Sequence, residues 1–190
     1  MIEIPLQTHA EFFSEELKLP ATVDPQVFVA QVNAPSVVGL QGIKRLAGLR
    51  NASPADAASI PLFTAHGARL SLTVHEWFSA TGKVILIPQT DGRERIIVQM
   101  SGLKPGGVYS LFENHFDRDP VGFSPLDGFG TDNSFVADSD GDATVTVMAP
   151  AVLNHANAIL VVLHSDGATH GASRGKIGVN AHHQLIARLP

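Results

Sequence analysis

The stretch KVILIPQTDGRERIIVQM, Lys83 to Met100, decides the fold class. Two apolar runs, KVILIPQ (83 to 89) and ERIIVQM (94 to 100), flank TDGR. Within TDGR, Asp91-Gly92 is a favoured hairpin dipeptide, because glycine enters the left-handed region without a steric penalty. The spacing therefore predicts an antiparallel strand pair.

Working outward, the same texture continues on both sides. RLSLTVHEW (69 to 77) places Leu70, Leu72 and Val74 on one face and Ser71, Thr73 and His75 on the other, which predicts a half-buried strand. Downstream come GVYSLFEN (107 to 114), NSFVAD (133 to 138), DATVTVM (142 to 148), AILVVLH (158 to 164) and HQLIARL (183 to 189). Short strands at this spacing, with little helical pattern between them, predict a mainly all-β domain over residues 61–190, an antiparallel β-sandwich or Greek-key barrel.

Residues 1–60 read as a mixed N-terminal extension that packs on this domain. Thr8 with Glu11 makes a capping box, and Phe12, Phe13 and Leu17 follow on one helix face. After Pro20 and Pro25, QVFVAQVN (26 to 33) alternates as a strand, SVVGLQGIKRLAGLR (36 to 50) mixes periods, and NASPADAAS (51 to 59) resembles a linker.

Charged residues make up 16% of the chain and apolar ones 44%, the balance of a protein that buries a core. The net charge is −5 and no run of Lys or Arg could neutralise several phosphates, which argues against nucleic acid as a partner. There is no cysteine, so disulfides, thiolate metal sites and cysteine nucleophiles are excluded together. No apolar run has the length of a membrane span. The opening MIEIPLQTHAEFF carries Glu3 and Glu11 and does not read as a signal peptide.

Several signatures fail on their spacing. His75-Glu76 would need a second histidine at Ser79 to make a zinc-protease helix, neither Gly82-Lys83 nor Gly175-Lys176 sits in a phosphate loop, and GFSPL around Ser124 lacks the closing glycine of a nucleophile elbow. In DSDGD (138 to 142) three alternating aspartates offer oxygen ligands for calcium, but the glycine is misplaced for an EF-hand loop and the flanks predict a hairpin turn.

The histidines carry more. Six of the nine lie between His115 and His183, and His115, His164 and His170 stand at or just past strand ends. Two long glycine-rich connections, 116 to 132 and 165 to 180, follow these strands, and loops of that length are commonly functional. Period two puts His164 on the face of Leu160 and Val162, at the rim of the core, where an imidazole needs a hydrogen bond or a metal. His164, His170 and one of His182 or His183, with His115 or Asp166 completing the set, are the candidate ligands for zinc or copper. His182 and His183 are adjacent in a strand and point to opposite faces, so only one can join. A hydrolytic alternative pairs a histidine with Asp117, Asp119, Asp127 or Asp132 and a serine or water.

VQMSGLKPGGVYSLFENHF (98 to 116), together with AILVVLHSDG and SRGKIGV, resembles the later strands of copper/zinc superoxide dismutases. Where that family alternates histidines this chain has Tyr109, Leu111 and Glu113, and only His164 has a counterpart as a ligand. The chain resembles more closely a set of uncharacterised, mostly exported bacterial β-sandwich proteins. They share a Gly-Leu-x-Pro-x-Gly-x-Tyr strand, a His-Ser-Asp-Gly-x-Thr-x-Gly loop and a terminal His-x-Leu strand. This resemblance implies a periplasmic or secreted location. The resulting expectation is a noncatalytic bacterial binding or structural module whose strand-end loops hold a small ligand or a metal. An enzyme using the same histidines, by copper redox chemistry or hydrolysis, is the alternative. An exposed sheet edge would allow a homo-oligomer.

Overall fold

The turn at Asp91-Gly92 forms as its composition demands: Gly92 takes φ 86° and the Gln89 N–H donates to Arg93 O at 2.8 Å. A computed structural model describes residues 1–190. In it this hairpin joins β8 (Thr81–Pro88) to β9 (Glu94–Ser101), with Val84 opposite Val98 and Leu86 opposite Ile96. All four side chains are buried in the main core.

The remaining elements are β1 (Ile2–Thr8), α1 (His9–Glu16), β2 (Phe28–Ala30), β3 (Val37–Val38), β4 (Lys44–Arg45), β5 (Leu49–Asn51), β6 (Pro61–Phe63), β7 (Arg69–Thr73) and α2 (Val74–Phe78). After β9 follow β10 (Val108–His115), β11 (Gly122–Pro125), β12 (Ser134–Val136), β13 (Ala143–Ala149), β14 (Asn157–His164) and β15 (Ala181–Arg188). A nine-stranded antiparallel sheet runs β11-β10-β14-β15-β1-β8-β9-β13, with β12 also paired to β10. A hairpin turn, Asp138 to Asp142, joins β12 at one edge to β13 at the other, so the sheet curls round its core. Chain order and strand order part company between β9 and β10 and between β13 and β14, the crossing pattern of a Greek key. The expected all-β antiparallel architecture is what forms.

The boundary expected at residue 60 does not coincide with a boundary between sheets. β1 lies inside the large sheet between β15 and β8, while β6 and β7 join β2 and β5 in a separate four-stranded sheet. The segment of different texture is thus inserted after the first strand of the large sheet rather than preceding that sheet. The hydrophobic alternation of 69 to 77 is also cut short. Thr73 accepts from the Glu76 N–H, and the Glu76 carboxylate accepts from the Thr73 N–H, a capping box that turns Val74–Phe78 into α2. Of the capping box expected on α1 the Thr8 half forms, with Thr8 Oγ1 accepting from the Glu11 N–H.

Two faces of the centre are covered. Inward, Ile159, Val161, Leu163, Leu185 and Ala187 enter the main core with Trp77, Tyr109 and Leu111. Outward, Leu160, Val162, Ala181 and Ile186 form a second cluster with Phe112, closed by Phe12 of α1, Phe116 and Phe123. At the β1-β8-β9 junction, a side chain at Gly82 would run into Gln99 O and the Leu6 side chain. Gly82→Ala is therefore expected to cost about 1–3 kcal/mol, read as a lower urea midpoint at unchanged m-value.

Candidate functional site

β14 ends in His164, and the loop that follows folds back so that His164, Asp166 and His170 converge. Their ligating atoms all lie within 4.8 Å of one another. His164 is 2% exposed, whereas Asp166 and His170 stand at the surface. His164 Nε2 lies 2.8 Å from Ser110 Oγ on the neighbouring β10, and its Nδ1 is buried without a hydrogen-bond partner. His170 Nε2 contacts Asp166 Oδ2 at 2.9 Å, and the His164 and His170 rings are 5.4 Å apart. Burial, with His170 adding to it, depresses the His164 pKa to about 4, so the ring is a neutral donor at physiological pH. Two nitrogens and a carboxylate on a strand end and its loop are a borderline-metal donor set. A second loop braces this one. Gly130, at φ 78°, lies against the backbone of Gly171 and Ala172, where any side chain would collide.

The other two expected ligands do not join. His182 is fully buried, with Nδ1 donating to Gln26 O at 2.9 Å and Nε2 2.9 Å from Ser165 Oγ, so neither nitrogen is free. Strand register removes His115: Val108 faces His164 across β10 and β14, while His115 faces Asn157. Seven residues of extended chain put them roughly 23 Å apart. A β-bulge between Val161 and Val162 aligns His182 with Leu163 on the main-core side and His183 with Val162 on the outer side, the opposite facing expected of neighbours in a strand.

Of the acidic residues in the long loop, Asp127 has structural work. Asp127 accepts from the N–H groups of Phe129, Gly130, Thr131 and Asp132. Burial pushes its pKa up, but the N–H groups of Asp132, Gly130 and Thr131 outweigh this and hold it at about 2. In DSDGD, Asp138 Oδ1 accepts from the Asp140 and Asp142 N–H groups, closing the hairpin.

Sequence spacing missed an arrangement at the far end of β10. His115 Nε2 lies 2.7 Å from Ser124 Oγ, and His115 Nδ1 lies 3.5 Å from Glu113 Oε1, which also accepts from Asn157 Nδ2 at 2.6 Å. Glu113 and Ser124 are cross-strand partners of β10 and β11. Alternation places Glu113 and His115 on one face; only the pairing register supplies the serine.

Five imidazoles are depressed chiefly by burial: His9 to about 3, His164 and His182 to about 4, His183 well below its ordinary value, and His115 in the same direction. Each would ionise near 6.5 once unfolded, so below that pH the unfolded chain binds more protons and stability falls. Burial raises Asp24 to about 6 and Glu113 to about 7, and these two oppose the trend by taking up protons in the fold first. Five groups outweigh two. The melting temperature should drop between about pH 6.5 and about pH 4.5; a flat or rising profile in a pH series of thermal melts would contradict the assignment.

No protein-family model matches this chain, and no curated protein matches it as a relative.

Proposed function

We propose that this protein is a noncatalytic binding module of bacterial type that holds one divalent transition-metal ion, zinc or copper, between His164, Asp166 and His170. The observation that carries the reading is the buried, unpartnered Nδ1 of His164, on a side chain that converges with those of Asp166 and His170. Buried polar atoms are nearly always paired, and an imidazole nitrogen without a partner is an open ligand position. With a metal on Nδ1, the proton resides on Nε2 and donates to Ser110 Oγ, the outer hydrogen bond that orients most metal-bound histidines. Tetrahedral donors at about 2.1 Å from an ion stand about 3.4 Å apart. The Asp166 and His170 atoms already stand 2.9 Å apart, and the widest separation, at most 4.8 Å, needs to close by no more than about 1.4 Å. Three protein ligands leave a fourth position for water or an exchangeable small ligand.

Metal analysis after loading with zinc or copper and gel filtration should find one ion per chain. His164→Ala and His170→Ala should each lose it, with an unchanged far-ultraviolet spectrum. Metal present at a hundredfold over its dissociation constant should stabilise the wild type by about 2.7 kcal/mol. No stoichiometric metal in the wild type, or equal binding by both variants, overturns the reading.

A second reading, ester hydrolysis, is favoured by the aligned Glu113, His115 and Ser124. In it His115 Nε2 takes the Ser124 hydroxyl proton as Oγ attacks the ester carbonyl carbon, returns that proton to the departing alkoxide as the ester C–O bond breaks, and then draws a proton from the water that hydrolyses the acyl-serine, while Glu113 orients the ring. A fluorophosphonate probe should then label Ser124, and His115→Gln should abolish the labelling. An unlabelled wild type removes this reading.

A further inference from the structure

A cleft of about 260 Å³ opens between α1 and the β10-β11 hairpin, on the outward face and distinct from the His164 loop. Phe12, Phe13, Phe116 and Phe123 wall it, and His9 and Asn114 are among its most buried lining residues, at 4% and 5% exposure. Both carry an unsatisfied buried atom: His9 Nδ1 and Asn114 Oδ1 have no hydrogen-bond partner. With His164 Nδ1, these are the only such side-chain atoms in the protein.

The hydrogen-bond chain leading to His9 sets its polarity. Arg174 Nη1, which can only donate, meets His183 Nε2 at 3.0 Å. A neutral His183 must therefore carry its proton on Nδ1, which faces His9 Nε2 at 3.4 Å. His9 accepts there, so its own proton sits on Nδ1, the unsatisfied atom. Burial keeps both rings neutral, with Arg174 reinforcing the effect on His9. Two residues lining the cleft thus hold one N–H donor and one amide acceptor that no other group in the protein satisfies, beside an apolar wall.

The charges select among ligands. No Lys or Arg lines the cleft and its only ionic lining group is the Glu16 carboxylate, which disfavours an anion. Phe123 and Phe116 already hold the guanidinium groups of Arg174 and Arg188, at 3.2 and 3.8 Å from the ring centroids, which disfavours a cation. A dry cavity of about 150 Å³ accepts benzene, so this volume suits one substituted ring. A hydroxyl is the small group that accepts from one partner and donates to another, and it can meet either end of the Asn114 amide. We propose that this cleft is a binding site for a small uncharged phenol, with its ring among the four phenylalanines and its hydroxyl between His9 and Asn114.

The test is titration of the full chain with p-cresol, toluene and benzoate, followed by calorimetry and by amide chemical shifts. p-Cresol should bind at one site and shift residues of α1 and the β10-β11 hairpin, with toluene about tenfold weaker and benzoate weaker than p-cresol. Asn114→Leu and His9→Phe should each weaken p-cresol about tenfold and leave toluene unchanged or tighter. Leu17→Trp, an exposed position at the cleft, should block all three even if His9→Phe fails to fold. Equal affinity for toluene and p-cresol, tighter binding of benzoate, shifts confined to another surface, or no binding by any probe would overturn the proposal.

Discussion

β14 and β15 are buried on both faces, and the polar side chains they carry must find partners away from water. Unpaired polar burial costs on the order of 1–3 kcal/mol per group, so the sequence of β15, with His182, His183 and Gln184 in succession, constrains everything packed against it. Gln26 answers much of this demand. Its backbone carbonyl accepts from His182, its side-chain oxygen accepts from the His183 N–H, and its side-chain nitrogen donates to Gln41. Asp24 accepts from the Gln26 N–H and from the indole of Trp77. Gln184, the extra residue at the bulge, donates to Trp77 O and accepts from the Tyr109 hydroxyl. The inserted segment is held to the large sheet by these bonds as well as by apolar contact.

That constraint also separates structural histidines from available ones. His182 is saturated by the insertion and by Ser165, and serves as a latch. The unsatisfied buried atoms fall at two places: His164 Nδ1 beside Asp166 and His170, and His9 Nδ1 with Asn114 Oδ1 at the aromatic cleft. Every other buried side-chain nitrogen or oxygen in the protein has a hydrogen-bond partner.

Much of the sheet was readable from local pattern. The hairpin at Asp91-Gly92, the turn at 138 to 142, the cap at Thr8 and the runs that became β8, β9, β10, β13, β14 and β15 each depend on residues close in sequence. The stretch 69 to 77 was misleading because alternation and the Thr73–Glu76 capping box overlap, and the box turns the chain into α2. His164 at the rim, and the opposed facing of His182 and His183, followed from period two alone. Membership of the candidate sites did not, because each joins residues far apart in the chain.

Local pattern and composition determined the all-β class, most strand positions and the excluded chemistries, since turn preference, side-chain alternation and the lack of cysteine act over a few residues or none. Tertiary structure alone decided that β1 sits mid-sheet, that His115 stands a strand's length from His164, and that Ser124 meets His115. It alone showed His9 approaching His183 from 174 residues away. Register and strand order depend on which buried surfaces match across the whole sheet. No local pattern encodes that match, and it places every partner on which chemistry here depends.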